Sequence, residues 1–268
     1  MSQIIDGQAL ALKHEEQLKK QIQDLKITPH IVSFFNPSDR PSVTFTRLKQ
    51  NKALELGIVF DPVEINPQVT ANLLATLVEG FNKDPNTHGI MFQLPLPKHL
   101  QSSKQYLLNT VKSGKDVDGL SGRGPCLQAT VRGVLSILDD QSINPATTLF
   151  AVIGSLGMVG KAMVKALEER KARVIKVDQR LPQTSLADIK DADVVISCTG
   201  QNGLIKPKHI KAGAVLIDVG LGDFDPLCFG KASSYTPPQA GVGPMTVISL
   251  MENAVDLVLR RGGLTINS

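Results

Sequence analysis

Three glycines spaced three apart, Gly154, Gly157 and Gly160, follow a short apolar run at residues 150–153. So short a β-branched, apolar run reads as a buried strand. Residues 161–169 read as a helix with Met163, Val164 and Leu167 on one face. Strand, glycine turn and helix together could hold a pyrophosphate. Glycine keeps the turn tight, lets backbone approach the ligand and sets it on the helix N-terminus. The spacing is GxxGxxG rather than GxGxxG, so an ordinary tight βα turn is the plain alternative. The segments that follow favour a nucleotide. Arg173–Val177 reads as a second strand ending in Asp178, near the distance at which an acidic residue meets the ribose. Residues 194–198 and 214–219 read as third and fourth strands, ending at Thr199-Gly200 and Gly220. Such strands imply a parallel sheet with its ligand crevice at the strand C-termini.

The first half carries a different chemistry. Phe45 and Lys49 are four apart in a helix that opens at Pro41-Ser42, so they share a face. A lysine in a half-closed apolar cleft loses solvation, its pKa falls, and it exchanges protons near neutrality. The plain alternative is a solvated helix lysine. Arg47 does not release its proton near neutrality, while Lys52 is a nearby rival. Gln93 opens the stretch Gln93-Leu94-Pro95-Leu96-Pro97 after a strand at Gly89–Phe92, and the prolines forbid continued strand or helix. Beside Gln93, Lys49 could orient and activate a water. Asp118, in Lys115-Asp116-Val117-Asp118-Gly119, could accept paired hydrogen bonds from a planar donor pair, or be a turn aspartate before Gly119.

The remaining elements must position these groups. Asp6 caps a helix over residues 9–25, a strand spans 31–35, and the Pro41-Ser42 helix ends at Gly57. Asn66-Pro67 opens a third helix through Leu73, Leu74, Leu77 and Val78. Residues 129–138 form a helix leading into the glycine half, and Pro244 suits the first turn of a last helix over 245–260. The 268-residue chain has room for one large domain or two smaller ones with real cores. A net charge of +4, with cations scattered among acids, does not imply nucleic acid. No apolar run reads as long enough to span a membrane. The N-terminus lacks the basic and apolar regions of a secretory signal. Cys126, Cys198 and Cys228 match neither a disulfide framework nor zinc spacing, so no metal is expected and a reduced cytoplasm is the default location.

Four motifs stand in register along essentially the whole chain: IIDG at 4–7, QLPLP at 93–97, KDVDG at 115–119 and GVGPMT at 241–246. Together they make the chain resemble the bifunctional methylenetetrahydrofolate dehydrogenase/cyclohydrolase family. The resemblance implies an α/β protein of two domains with a cleft between them. Residues 1–119 would form an α/β folate-binding and catalytic domain, joined by a returning last helix at 244–268. Residues 120–243 would form a Rossmann-like parallel-sheet dinucleotide domain. A homodimer acting on tetrahydrofolate one-carbon derivatives is also implied.

The family pattern SxxYxxxK falls on Ser42, Phe45 and Lys49, with phenylalanine in place of the tyrosine. This register chooses Lys49 over Lys52, and the resemblance adds Gln93 and Asp118 as its catalytic partners. Phe45 keeps a ring that could stack on a pterin or aminobenzoyl group, though a core phenylalanine would read the same. The implied folate contacts are Ser42, Phe45, Leu94, Pro97, Pro237 and Gly241. The implied cofactor contacts are Gly154, Ser155, Gly157, Val159, Gly160, Asp178, Arg180, Thr199, Gly200, Leu221 and Thr246. Other departures from the family are Gln239-Ala240 where it has Pro-Gly, Val131 where it has proline, and a shortened stretch at 221–225.

The two implied reactions ask different things of the protein. Hydride transfer from the one-carbon bridge to nicotinamide needs stacked and aligned rings, not a protein acid or base. Hydrolysis of the methenyl product needs an activated water. Two alternatives stay open: a dehydrogenase whose hydrolysis is weakened by the missing tyrosine hydroxyl, and a catalytically silent relative that binds folate or nucleotide. The cofactor is NAD or NADP, and the residues favour NAD. Family members that use NADP carry an arginine after the first glycine and a His-Ser pair ending the second strand. The corresponding residues here are Ser155 and Asp178-Gln179. Asp178 would accept bonds from ribose hydroxyls and repel a 2′-phosphate. Against this stand Arg180, which could swing round to neutralise a phosphate, and more weakly Arg173. Asp178 could also merely cap the turn before Leu181-Pro182.

Overall fold

The computed structural model describes residues 2–25 and 27–262, so positions 263–268 of the expected last helix lie outside the described residues. Among the described residues the elements run β1 (Gln3–Ile4), α1 (Gly7–Asp24), β2 (His30–Phe35), α2 (Arg40–Glu55), β3 (Val59–Glu64), α3 (Ala71–Lys83), β4 (Gly89–Phe92) and α4 (Lys104–Thr110). Then follow α5 (Ala129–Asp140), β5 (Leu149–Ile153), α6 (Met158–Glu169), β6 (Arg173–Val177), β7 (Val194–Ser197), β8 (Val215–Asp218), β9 (Ser234–Tyr235) and α7 (Val242–Arg261). They form two compact units. Of the described residues, one unit holds those within 14–129 and 247–262; the other holds those within 2–13 and 130–246.

The unit beginning at His14 is built on a three-stranded parallel sheet in the order β3-β2-β4. Strand β2 is central and almost wholly buried, which suits its sequence HIVSFF. Phe34 stacks on Phe92 of β4 at 5.2 Å between ring centroids and meets Phe81 of α3 edge-on at 5.8 Å. Such aromatic pairs contribute about 0.5–1.5 kcal/mol beyond their buried area. Strand β3 has no counterpart in the sequence reading, and it carries Pro62, a residue that cannot donate to a ladder. It lies at the sheet edge, where a missing N–H costs no ladder bond. Helix α2 begins where Asp39 accepts the Ser42 amide at 2.8 Å. Helix α3 corrects the expectation of a start at Asn66-Pro67. The Asn66 side chain instead accepts the Gln68 amide at 2.8 Å, closing a local turn, and Thr70 caps the helix through Leu73.

Helix α7 is a second correction. It has 20 residues and a stretch of mean hydropathy 1.4, long and apolar enough by those measures to cross a bilayer. Glu252, Asn253 and Asp256 interrupt its sequence and hide that length from a search for unbroken apolar runs. Of the apolar stretch, 61% is buried inside the protein, as in a core helix.

The other unit carries a six-stranded, all-parallel sheet in the order β1-β9-β8-β7-β5-β6. Two short strands, β1 and β9, extend the four expected from sequence. They pair Gln3 with Ser234 and Ile4 with Tyr235, residues far too distant in sequence for local patterns to link. The core under the sheet includes Ala151, Ile153, Val195, Leu216 and Phe224. From β5 the chain runs through α6 to β6 on one side, then crosses to β7 on the other. The direction of strand addition therefore reverses at β5, the point where open α/β sheets leave a crevice at the strand C-termini.

Candidate active site

The Pro41-Ser42 helix places Ser42, Thr46 and Lys49 on its buried side and leaves Phe45 41% exposed. Lys49 is 7% exposed, unlike the solvated helix lysine that stood as the plain alternative. Its Nζ donates to Gln93 Oε1 at 2.8 Å, and Gln93 Nε2 donates to the Leu94 carbonyl at 3.1 Å. Burial drives the Lys49 pKa below its ordinary value, against the pull of the Asp118 carboxylate. Burial pushes the Asp118 carboxyl up to about 6, with Lys49 opposing and Asp116 adding to the rise. Lys49, with its pKa lowered, and Asp118, with its carboxyl raised to about 6, thus lie close enough to act on each other's charge. The hydroxyls of Ser42, Thr46 and Ser33 are buried without a protein partner. Leu94 is half-buried and Pro97 buried.

Two residues that the sequence reading missed hold this loop in place. Asn253 of α7 is buried and donates through Nδ2 to the Val117 and Leu127 carbonyls, each at 2.9 Å. Buried Lys115 donates to the carbonyls of Phe81 and Asp84 at 2.7 and 2.6 Å. Together they fix both ends of the Lys115–Asp118 segment. No local pattern marks Asn253, since it reads as one polar residue in a helix.

In the other unit, the glycine turn closes β5 onto α6. Gly154 adopts φ +77°, and a Cβ at Gly160 would collide with the Gly154 carbonyl oxygen, so both positions require glycine. Helix α6 starts at Met158, earlier than expected, which puts Val159 and Gly160 in its first turn. A cavity of about 350 Å³ opens at the C-terminal ends of β5, β6 and β7. Gly154, Gly157, Asp178, Arg180 and Thr199 line it, whereas Ser155, Val159, Gly160, Gly200, Leu221, Gly241 and Thr246 do not. Ser155 belongs to the same turn and buries its hydroxyl without a partner. Leu221 is exposed, Pro237 half-buried, Gly241 buried and Thr246 half-buried. Arg173 starts β6, at the end of the strand opposite Asp178, so it offers nothing to this cavity.

Two buried acids behind the cavity also escape the sequence reading. Asp223 accepts from Ser197 Oγ at 2.6 Å and from the Thr199 amide at 2.9 Å. Asp218 accepts the Gly222 amide at 2.7 Å, and burial raises its pKa. Between them Leu221 takes a left-handed φ of +66°. The shortened stretch after Gly220 is thus wrapped on one carboxylate and tied to the end of β7 by the other. The thiol of Cys198, at that strand end, is pushed up to about 12 by burial and by these two acids.

A parallel sheet with its glycine turn and cavity at the reversal point defines an α/β dinucleotide-binding protein. The tight turn and the orphaned Ser155 hydroxyl fit a phosphate-bearing cofactor. The chain belongs to the tetrahydrofolate dehydrogenase/cyclohydrolase family: residues 5–118 match its catalytic domain and residues 128–261 its NAD(P)-binding domain. It is 32% identical to the bifunctional protein FolD of Streptococcus uberis, over 97% of this chain and 99% of that one. The crystal structure of the bifunctional FolD enzyme from Campylobacter jejuni superposes with a TM-score of 0.89 at 30% identity, covering 97% of this chain and 100% of that one. The Trypanosoma brucei enzyme, solved with NADP and an inhibitor, gives 0.87 at 27% identity, covering 97% and 98%.

Proposed function

We infer that this chain oxidises 5,10-methylenetetrahydrofolate with a nicotinamide cofactor and hydrolyses the methenyl product to 10-formyltetrahydrofolate. The observation that carries the reading is buried Lys49, bonded to Gln93 and opposed by Asp118. The cofactor, when bound, supplies a two-electron hydride acceptor. The folate side needs only to be held flat and oriented for that step, a task for the Phe45 ring and the Asp118 carboxylate. Hydrolysis adds water to the methenyl carbon and releases one proton. Lys49, bonded to Gln93 and with its neutral form favoured by burial, takes one proton of the water as the C–O bond forms; the proton left on the new hydroxyl passes to N5 as the C–N5 bond breaks, which leaves the formyl group on N10. Ser42, Leu94 and Pro97 line the same folate pocket in this reading. Pro237 and Gly241 contribute as the resemblance implies.

Gly154, Ser155, Gly157, Val159 and Gly160 cradle the cofactor phosphates, with Asp178 and Arg180 at the ribose. Thr199, Gly200, Leu221 and Thr246 lie toward its nicotinamide end. NAD is favoured, because Ser155 and Asp178-Gln179 stand where a 2′-phosphate would need cationic partners. A homodimer, a cytoplasmic location, and the absence of nucleic-acid, membrane and metal roles rest on the family resemblance and the composition.

The deciding experiment follows absorbance with methylenetetrahydrofolate and each cofactor in turn. Reduced cofactor and methenyl product report the first step, and methenyl decay above its spontaneous rate reports the second. Methenyl accumulation without accelerated decay would favour the second reading, a dehydrogenase weakened in hydrolysis because Phe45 carries no hydroxyl. No reaction in either step would leave a binding protein only.

A further inference from the structure

Asp178 directly follows β6 at 6% exposure, and its carboxylate accepts four N–H donors. Oδ1 takes the Arg180 amide at 3.0 Å and Arg180 Nε at 2.8 Å. Oδ2 takes the Leu156 amide and Arg180 Nη2, each at 3.0 Å. An ionised carboxylate offers about four acceptor sites, so the acceptor capacity of Asp178 is filled. A ribose diol cannot bond to it unless Arg180 lets go of at least one oxygen.

Arg180 itself is not consumed by this clamp. A guanidinium carries about five N–H donors in a fixed fork. The bonds to Asp178 use Nε and one N–H of Nη2, which leaves Nη1 and the outer N–H of Nη2. The Arg180 side chain is 56% exposed and lines the cavity. Among the described residues lining that cavity, Asp178 and Arg180 are the charged ones. Neighbouring Gln179 and Ser185 add polar, uncharged groups.

We propose that Arg180 sets the cofactor preference from both sides. Clamped on Asp178, it withholds the carboxylate from a ribose diol. With its remaining N–H groups it receives a 2′-phosphate. The pair therefore tempers a preference for NAD that Asp178 alone would make steep, and lets NADP enter without breaking the clamp. The proposal rests on reading this cavity as the adenosine end of the dinucleotide site.

The test titrates the full chain with 5′-AMP and with adenosine 2′,5′-bisphosphate by calorimetry, in wild type, Arg180→Met and Arg180→Lys. In Arg180→Met the bisphosphate should weaken about tenfold or more, as expected for losing a charge-assisted bond, while 5′-AMP holds or tightens. Arg180→Lys should fall between, since lysine keeps the charge but not the fork. The ratio of kcat/KM for NAD over NADP should rise in the same order. Equal weakening of both probes in Arg180→Met would mean that Arg180 only braces the turn, and would overturn the proposal alone. Failure of both probes to bind the wild type would overturn the reading of the cavity, and the proposal with it.

Discussion

Lys49 Nζ meets Gln93 Oε1 at 2.8 Å, joining the buried side of α2 to the residue that follows β4. The bond matters because the lysine is buried beside a carboxyl, where its charge is poorly solvated. Lys49→Met should still fold, because a similar volume fills the site, but at reduced stability, since Gln93 Oε1 and the Asp118 carboxyl each lose a buried partner. Methenyl hydrolysis should drop to the spontaneous rate. Thermal melts and the methenyl decay assay check the two halves, and accelerated decay in the folded variant would exclude Lys49 as the proton acceptor.

Asp118 is held up to about 6 by burial. Its native pKa lies above the unfolded value, so the native state retains the proton as pH rises until it passes about 6. The cost of its ionised form is present above that pH and disappears on acidification toward the unfolded pKa. Asp118→Asn should then be more stable than wild type at pH 7 to 8, with the difference shrinking below pH 6. Folate affinity should move the other way. It should weaken in wild type as pH falls through about 6, and be weaker by about tenfold or more but flat in the variant. Denaturant melts and folate titrations across pH 4.5 to 8 measure both.

Phe45 is 41% exposed, so an added hydroxyl has room at its ring edge. Phe45→Tyr should fold with an unchanged melting temperature and alter hydrolysis more than hydride transfer, since only hydrolysis manages a proton. Phe45→Ala should weaken folate binding through loss of the stacking face. Unchanged folate affinity in Phe45→Ala would remove the ring from the binding role.

Asp223 is the acceptor for Ser197 Oγ and the Thr199 amide at the end of β7. Asp223→Ala leaves the buried Ser197 hydroxyl and the half-buried Thr199 amide unpaired and should cost about 2–4 kcal/mol, beyond the loss of an exposed acid. Asp223→Asn keeps one acceptor oxygen and should cost less. The KM for the nicotinamide cofactor should rise in both, because Thr199 lines the cavity that this bond shapes. A lowered melting temperature with an unchanged KM would limit Asp223 to stability.

Much of the fold was legible because its signals are local. Arg173–Val177 and Gly89–Phe92 fall where apolar, β-branched runs end in turn residues. The glycine turn announced itself by spacing. Asn66-Pro67 misled because asparagine before proline serves a turn as readily as a helix start, and only Thr70 decided the boundary. Strand β3 was not read, and the cost of its Pro62 depends on whether the strand lies at an edge, which sequence does not state. The candidate site was legible as a set of residue types, and the family register named Lys49, Gln93 and Asp118 among many similar residues. It did not reveal Asn253 or Asp223, whose importance lies in which distant backbone groups they satisfy.

The sequence by itself determined the two groups of residues on which the proposed chemistry rests, a glycine turn suited to a nucleotide and a lysine with polar partners suited to proton handling. These depend on backbone freedom and side-chain type, which each residue carries with it. Tertiary structure alone decided the state of those groups. Lys49 loses its solvation only in the folded chain, where Gln93 reaches it from 44 positions away and the Asp118 carboxyl acts on its charge. Asp178 is an acceptor by type, but its acceptor sites are filled because Arg180 folds back on it in three dimensions. Desolvation and hydrogen-bond valence are properties of an environment, and that environment exists only once the chain has folded.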